Sequence, residues 1–209
     1  MSAKASSTKL TTTLALVGAL AGLIIVGAYT STLGPIEANR TATIDRAIAE
    51  VLDGTTRYDT LYLHDGALST APPAETAGHL GPEKVYAAYA SDGHLLGFAV
   101  IAKEPGFQEP IEILFGYDPR TKKTSGLAIL MSRETPGLGD KIQASGWRAQ
   151  FRDRITPIVG TKKGAAAGPA DVDMITGATI SSRAVIGAVN KSAERWAAIL
   201  AAYAAGGRQ

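Results

Sequence analysis

Between Leu10 and Pro35 the chain carries no charged residue, and Leu14–Tyr29 (LALVGALAGLIIVGAY) is almost wholly apolar. With Thr11–Thr13 and Thr30 as its ends, this run reaches the roughly 20 residues that an α-helix needs to cross about 30 Å of hydrocarbon. Threonine hydroxyls bond back to helix carbonyls, so they are tolerated in such a span. The small residues Ala15, Gly18, Ala19 and Gly22 recur at spacing four, which permits close approach to another membrane helix. A cleaved signal peptide has a shorter apolar core, usually 7–15 residues, and ends in an A-x-A site. Gly27-Ala28-Tyr29-Thr30 supplies none, so an uncleaved anchor is expected.

Charge sets the expected orientation. Lys4 and Lys9 are the only charges before residue 37, and the next basic residue is Arg40. The positive-inside rule places the N-terminus in the cytoplasm and residues 35–209 outside. The expected domains are thus 1–34, a tail and transmembrane anchor, and 35–209, one exported domain.

The exported part excludes several functions. Its 19 basic and 19 acidic residues balance, and no run of like charges offers a nucleic-acid footprint. With no cysteine, disulfides, cysteine-held iron–sulfur clusters and cysteine zinc sites are excluded. His64, His79 and His94 are well separated and form no metal-binding pair, so no metal site is expected.

Periodicity gives the fold class. Ile36, Ile44, Ala47, Ile48 and Val51 predict an amphipathic helix from Pro35 to about Leu52, ended by Asp53-Gly54. Residues 64–83, rich in Gly, Pro, Ala and Thr, predict a loop. Val85–Tyr89, Leu95–Ile101, Ile111–Tyr117 and Leu127–Met131 predict strands, joined by turns at Ser91-Asp92-Gly93 and Asp118-Pro119. No helix separates them, so an antiparallel meander is expected rather than a parallel crossover. Val185, Val189, Trp196, Leu200 and Tyr203 predict a last helix over 183–203, capped by Ser181 or Ser182, with a frayed AAGGRQ end. The fold class is α+β: one transmembrane helix, then an antiparallel sheet with flanking helices.

Two segments carry chemistry. Glu134-Thr135-Pro136-Gly137-Leu138-Gly139-Asp140-Lys141 follows a strand and brings backbone N–H groups within reach of a phosphate or planar ring, although such loops are often simple turns. Asp173-Met174-Ile175-Thr176-Gly177-Ala178-Thr179-Ile180-Ser181 opens the last helix, whose N-terminus favours an anion, although Thr and Ser also serve as plain caps. A GxGxxG dinucleotide fingerprint is absent.

Asp173-x-x-Thr176-Gly177-Ala178-Thr179 matches, position for position, the flavinylation motif D-x-x-[S/T]-G-A-T, and Glu134–Gly139 looks like the ETPGLG segment of the same family. That family is the FMN-binding domain of RnfG and NqrC, subunits of the ion-translocating Rnf complex and of the Na⁺-translocating quinone reductase. The membrane helix followed by Pro35-Ile36-Glu37-Ala38-Asn39-Arg40 resembles the start of RnfG, so the resemblance covers nearly the whole chain.

The resemblance implies one covalent FMN per chain, joined through its phosphate to Thr179 by a separate flavin transferase. Thr176, Gly177 and Ala178 would fit closely around the phosphate, and Glu134, Thr135, Gly137, Leu138 and Gly139 would line the flavin. Asp173 would serve transferase recognition, and Ser181 and Ser182 are alternative hydroxyls outside the matched position. The implied function is electron carriage in a membrane-bound Rnf-type translocase, among other membrane subunits; no residue is expected to be catalytic, as befits a redox subunit rather than a self-contained enzyme. An NqrC-like subunit and a membrane-anchored non-redox binding module are the alternatives. A self-contained flavin reductase would need a nicotinamide or substrate pocket, for which there is no signature.

Overall fold

The computed structural model describes residues 7–72 and 82–206. Lys4, His79, the middle of the expected 64–83 loop and the last three residues lie outside them. The chain divides into two compact units, Met1–Thr43 and Ile44–Gln209.

Helix α1 (Ser7–Val51) contains the apolar run and, among the described residues, is the one helix long and apolar enough to cross a membrane. Thr12, Thr13, Thr30, Ser31 and Thr32 each donate their hydroxyl to a carbonyl three or four residues back, as expected of hydroxyls on such a helix. Pro35 lies inside α1 instead of opening a second helix. Its fixed φ suits helical geometry, and the bond it cannot donate concerns a single carbonyl at residue 31.

The second unit is built on a seven-stranded sheet. Its strands are β1 (Arg57–His64), β2 (Ala67–Ser69), β3 (Lys84–Tyr89), β4 (Leu95–Pro105), β5 (Pro110–Asp118) and β6 (Lys123–Met131). After a short helix α2 (Ser145–Arg148), β7 (Arg154–Ile155) completes it in the order β2-β1-β3-β4-β5-β6-β7, every neighbouring pair antiparallel. The expected meander is β3–β6. The expected 64–83 loop is corrected in part: β1 reaches His64, and Asp65-Gly66 turns the chain into β2. Two short strands, β8 (Val159–Thr161) and β9 (Asp171–Asp173), pair in parallel without a helix between them. They lead into helix α3 (Thr179–Gly206), which starts four residues earlier than expected.

Successive strand residues face opposite sides of the sheet. Val85, Ala87, Phe98, Val100, Ile113, Phe115 and Leu127 pack with Val185, Val189, Trp196 and Leu200 of α3, the predicted stripe. Tyr86, Ala88, Ala99, Leu114 and Ala128 face the other way and pack with Ile44, Ala47, Ile48 and Val51, the last turns of α1, and with Leu52. Burial on both faces explains why the strands read as nearly continuous apolar runs. The in-register pair Gly116 and Gly126 admits the end of α1. A Cβ on Gly116 would lie 2.8 Å from Val51 O, and one on Gly126 3.0 Å from Val51 Cα. Ser125 Oγ donates to that Val51 carbonyl at 2.6 Å.

Candidate cofactor site

Glu134 follows the end of β6 and is buried, only 6% exposed. Its Oε1 accepts the backbone N–H groups of Phe107 (2.9 Å) and Gln108 (3.2 Å) at the tip of the β4–β5 hairpin. Its Oε2 accepts the Ser181 hydroxyl (2.5 Å) from the first turn of α3. One carboxylate thus ties together three segments far apart in sequence. Gln108 Nε2 donates to Thr135 Oγ1 at 2.9 Å, and the N–H groups of Leu138 and Asp140 close the loop on Thr135 O.

The hydroxyls of the motif are not equivalent. Ser181 or Ser182 is the expected cap of α3, but both lie within its first turn and are buried. Ser181 donates to Glu134, whereas Ser182 Oγ accepts the Ile175 N–H and donates to Ala178 O, both at 3.0 Å. Thr179, the first residue of α3, is half-buried, and its Oγ1 makes no hydrogen bond among the described residues. Thr176 and Gly177 are exposed and Ala178 is buried.

Asp173 ends β9. Its Oδ1 accepts the N–H groups of Ala165 and Ala166 and the Thr161 hydroxyl, and its Oδ2 accepts the Gly164 N–H at 2.8 Å. The Gly164 N–H foremost, then the other donors, outweigh desolvation and hold the Asp173 carboxyl below the usual carboxylate range. Its backbone N–H donates to Gln150 Oε1, and its carbonyl accepts the Trp147 indole N–H.

Around Thr179 lies a cleft of about 340 Å³. The structure brings together in its lining seven residues expected at the site: Glu134, Thr135, Leu138, Gly139, Gly177, Ala178 and Thr179. Gly137, Thr176 and Asp173 are not among its lining residues, whereas Phe107, Ile180 and Ser181 are. An aromatic at a hairpin tip, where polar turn residues are usual, was the available signal for Phe107. The lining suits FMN: partial positive charge at the N-terminus of α3 for a phosphate, and the apolar Phe107, Leu138 and Ile180 for a planar ring. A second cleft, about 350 Å³, is lined by Tyr89, His94, Asp118, Arg120 and Tyr203. It adjoins the C-terminal end of α3, where the helix dipole disfavours a phosphate.

The FMN-binding domain family matches residues 106–194, from the hairpin tip to the middle of α3. The G subunit of the ion-translocating oxidoreductase complex of Pseudoalteromonas atlantica is 32% identical, covering 82% of this chain and 79% of its own. The chain belongs to this family of G subunits. The G subunit of the Na(+)-translocating ferredoxin:NAD(+) oxidoreductase complex of Acetobacterium woodii, another member, is also 32% identical, covering 77% of each chain. The C subunit of the Na(+)-translocating NADH-quinone reductase of Parabacteroides distasonis matches in structure with a TM-score of 0.62. At 17% identity over 80% of this chain and 96% of that one, it shares the fold.

A methyl group at Gly139 tests this family site. Its Cβ would lie 2.6 Å from Glu134 Oε2 and 2.8 Å from Ser181 Oγ. Gly139→Ala should therefore separate Glu134 from Ser181 and cost roughly 1–3 kcal/mol. A thermal melt should show a fall of several degrees, and an unchanged melt would refute the close packing.

Proposed function

We propose that this chain carries one covalent FMN on Thr179 and serves as an electron-transfer subunit of an Rnf-type ion-translocating complex. The carrying observation is the Thr179 hydroxyl: it lines the cleft at the start of α3, unbonded among the described residues, while Ser181 and Ser182 are buried and hydrogen-bonded. Attachment needs a donor whose flavin phosphate is activated as an anhydride, as in a flavin dinucleotide. Thr179 Oγ1 would accept the flavin phosphate from that donor, with the second nucleotide as the leaving group and a base of the transferase taking the hydroxyl proton.

Gly177 and Ala178 hold the phosphate end, with the α3 dipole favouring its charge, and the exposed Thr176 precedes them. Glu134, Thr135, Leu138 and Gly139 form the opposite wall, Gly137 supplies the left-handed turn between them at φ 77°, and Asp173 serves recognition by the transferase. When bound, FMN supplies reversible uptake and release of electrons at its ring, and an ester at its phosphate leaves that ring unaltered. Covalent attachment also retains the cofactor where reversible binding would lose it to dilution. The chain made with a flavin transferase should gain one FMN in intact mass over the chain made without it. An unchanged mass would favour a non-redox binding module.

The names of these relatives and the long apolar helix support membrane anchoring in a multi-subunit complex. We place the N-terminus in the cytoplasm and residues 35–209 outside, because Lys9 and Lys4 precede the span and no basic residue follows it until Arg40. Protease added to spheroplasts should digest the domain; protection, or a mature N-terminus near residue 30, would overturn the topology.

A further inference from the structure

Among the described residues, Glu134 is the only acidic or basic side chain that is buried. Its two oxygens accept three hydrogen bonds, from Phe107 N, Gln108 N and Ser181 Oγ. Hydrogen bonds of this number offset the desolvation of a buried charge without cancelling its sign. Neighbouring Arg133 pairs with Glu109 instead, and no Lys or Arg forms an ion pair with Glu134 among the described residues. The charge borders the same cleft as Thr179, Phe107, Leu138 and Ile180.

We propose that Glu134 sets the reduction potential of the flavin in this cleft, holding it low with an uncompensated negative charge, in addition to joining the three segments. The inference rests on the cleft being the FMN site. Adding an electron beside a fixed negative charge is disfavoured in proportion to 1/(εr), and a cleft walled by apolar side chains lowers the effective ε. Glu134 is a positioning and tuning residue here, not a proton donor.

The test is a redox titration, followed by flavin absorbance, of the full chain in detergent with its covalent flavin. Glu134→Gln keeps the size and removes the charge, so the midpoint potential should rise. Ser181→Ala keeps the charge and removes a donor that stabilises it, so the midpoint should fall. A purely architectural role would move both variants in the same direction. An unchanged or lowered midpoint in Glu134→Gln with flavin attached would overturn the proposal. If Glu134→Gln does not fold, Ser181→Ala decides alone, and an unchanged or raised midpoint there overturns it. Absence of covalent flavin from the unaltered chain would instead overturn the cofactor reading itself.

Discussion

Thr179→Val should yield a folded chain with no covalent flavin, whatever the supply of flavin transferase. A phosphoester requires an oxygen at the acceptor position, and valine keeps the branched shape while removing it. Since Thr179 is half-buried and its hydroxyl bonds to nothing among the described residues, the stability cost should stay within about 1 kcal/mol. Thr179→Ser keeps the oxygen and should retain part of the attachment. Ser181→Ala should keep its flavin, because that hydroxyl faces Glu134. Fluorescence of the denatured band in a gel separates these outcomes. A fluorescent Thr179→Val band, or loss confined to Ser181→Ala, would show that the acceptor has been misassigned.

Truncation should have an equally large effect, on folding rather than chemistry. A chain starting at residue 35 retains Ile44, Ala47, Ile48, Val51 and Leu52, all buried on one sheet face. A chain starting at residue 55 lacks them and uncovers Tyr86, Ala88, Ala99, Leu114 and Ala128. At roughly 1.5–3 kcal/mol per fully buried aliphatic side chain, losing the four large ones costs on the order of 6–12 kcal/mol. That is comparable to the whole stability of a typical domain, about 5–15 kcal/mol. The ion pairs of Arg148 with Glu50 and Arg152 with Asp53, and the Ser125–Val51 bond, are lost as well. The longer chain should melt cooperatively and the shorter one should aggregate or show no transition. An equal melting temperature for both would show that the last turns of α1 are dispensable.

Sequence patterns revealed what local repetition controls. The uncharged run and the four central strands follow from local runs of apolar residues, and the stripe on α3 from side-chain period. Strand β1 went unpredicted because only Leu61 among its residues is buried, leaving no alternation of apolar and polar positions. The β8–β9 pair escaped because three-residue strands carry almost no pattern. Proline at 35 suggested a boundary, yet α1 continues through it. At the site, the motif pointed to Thr179, but the sequence could not show that Ser181 is occupied by Glu134. That pairing joins residues 47 positions apart, and such register emerges only from the packed fold.

Phe107, Leu138 and Ile180 are respectively 64%, 48% and 52% exposed around a single cleft. Three large apolar side chains on one surface form an adhesive patch, the kind through which proteins associate with one another. On the proposed function, the cleft therefore bears on colloidal behaviour as well as on electron transfer. Chains awaiting flavin present this patch to every neighbour, including their own copies, whereas a ring bound as proposed would cover it. On the proposed function, starving a cell of flavin should thus lower the amount of this membrane-anchored chain that stays unaggregated, making flavin supply a determinant of its abundance.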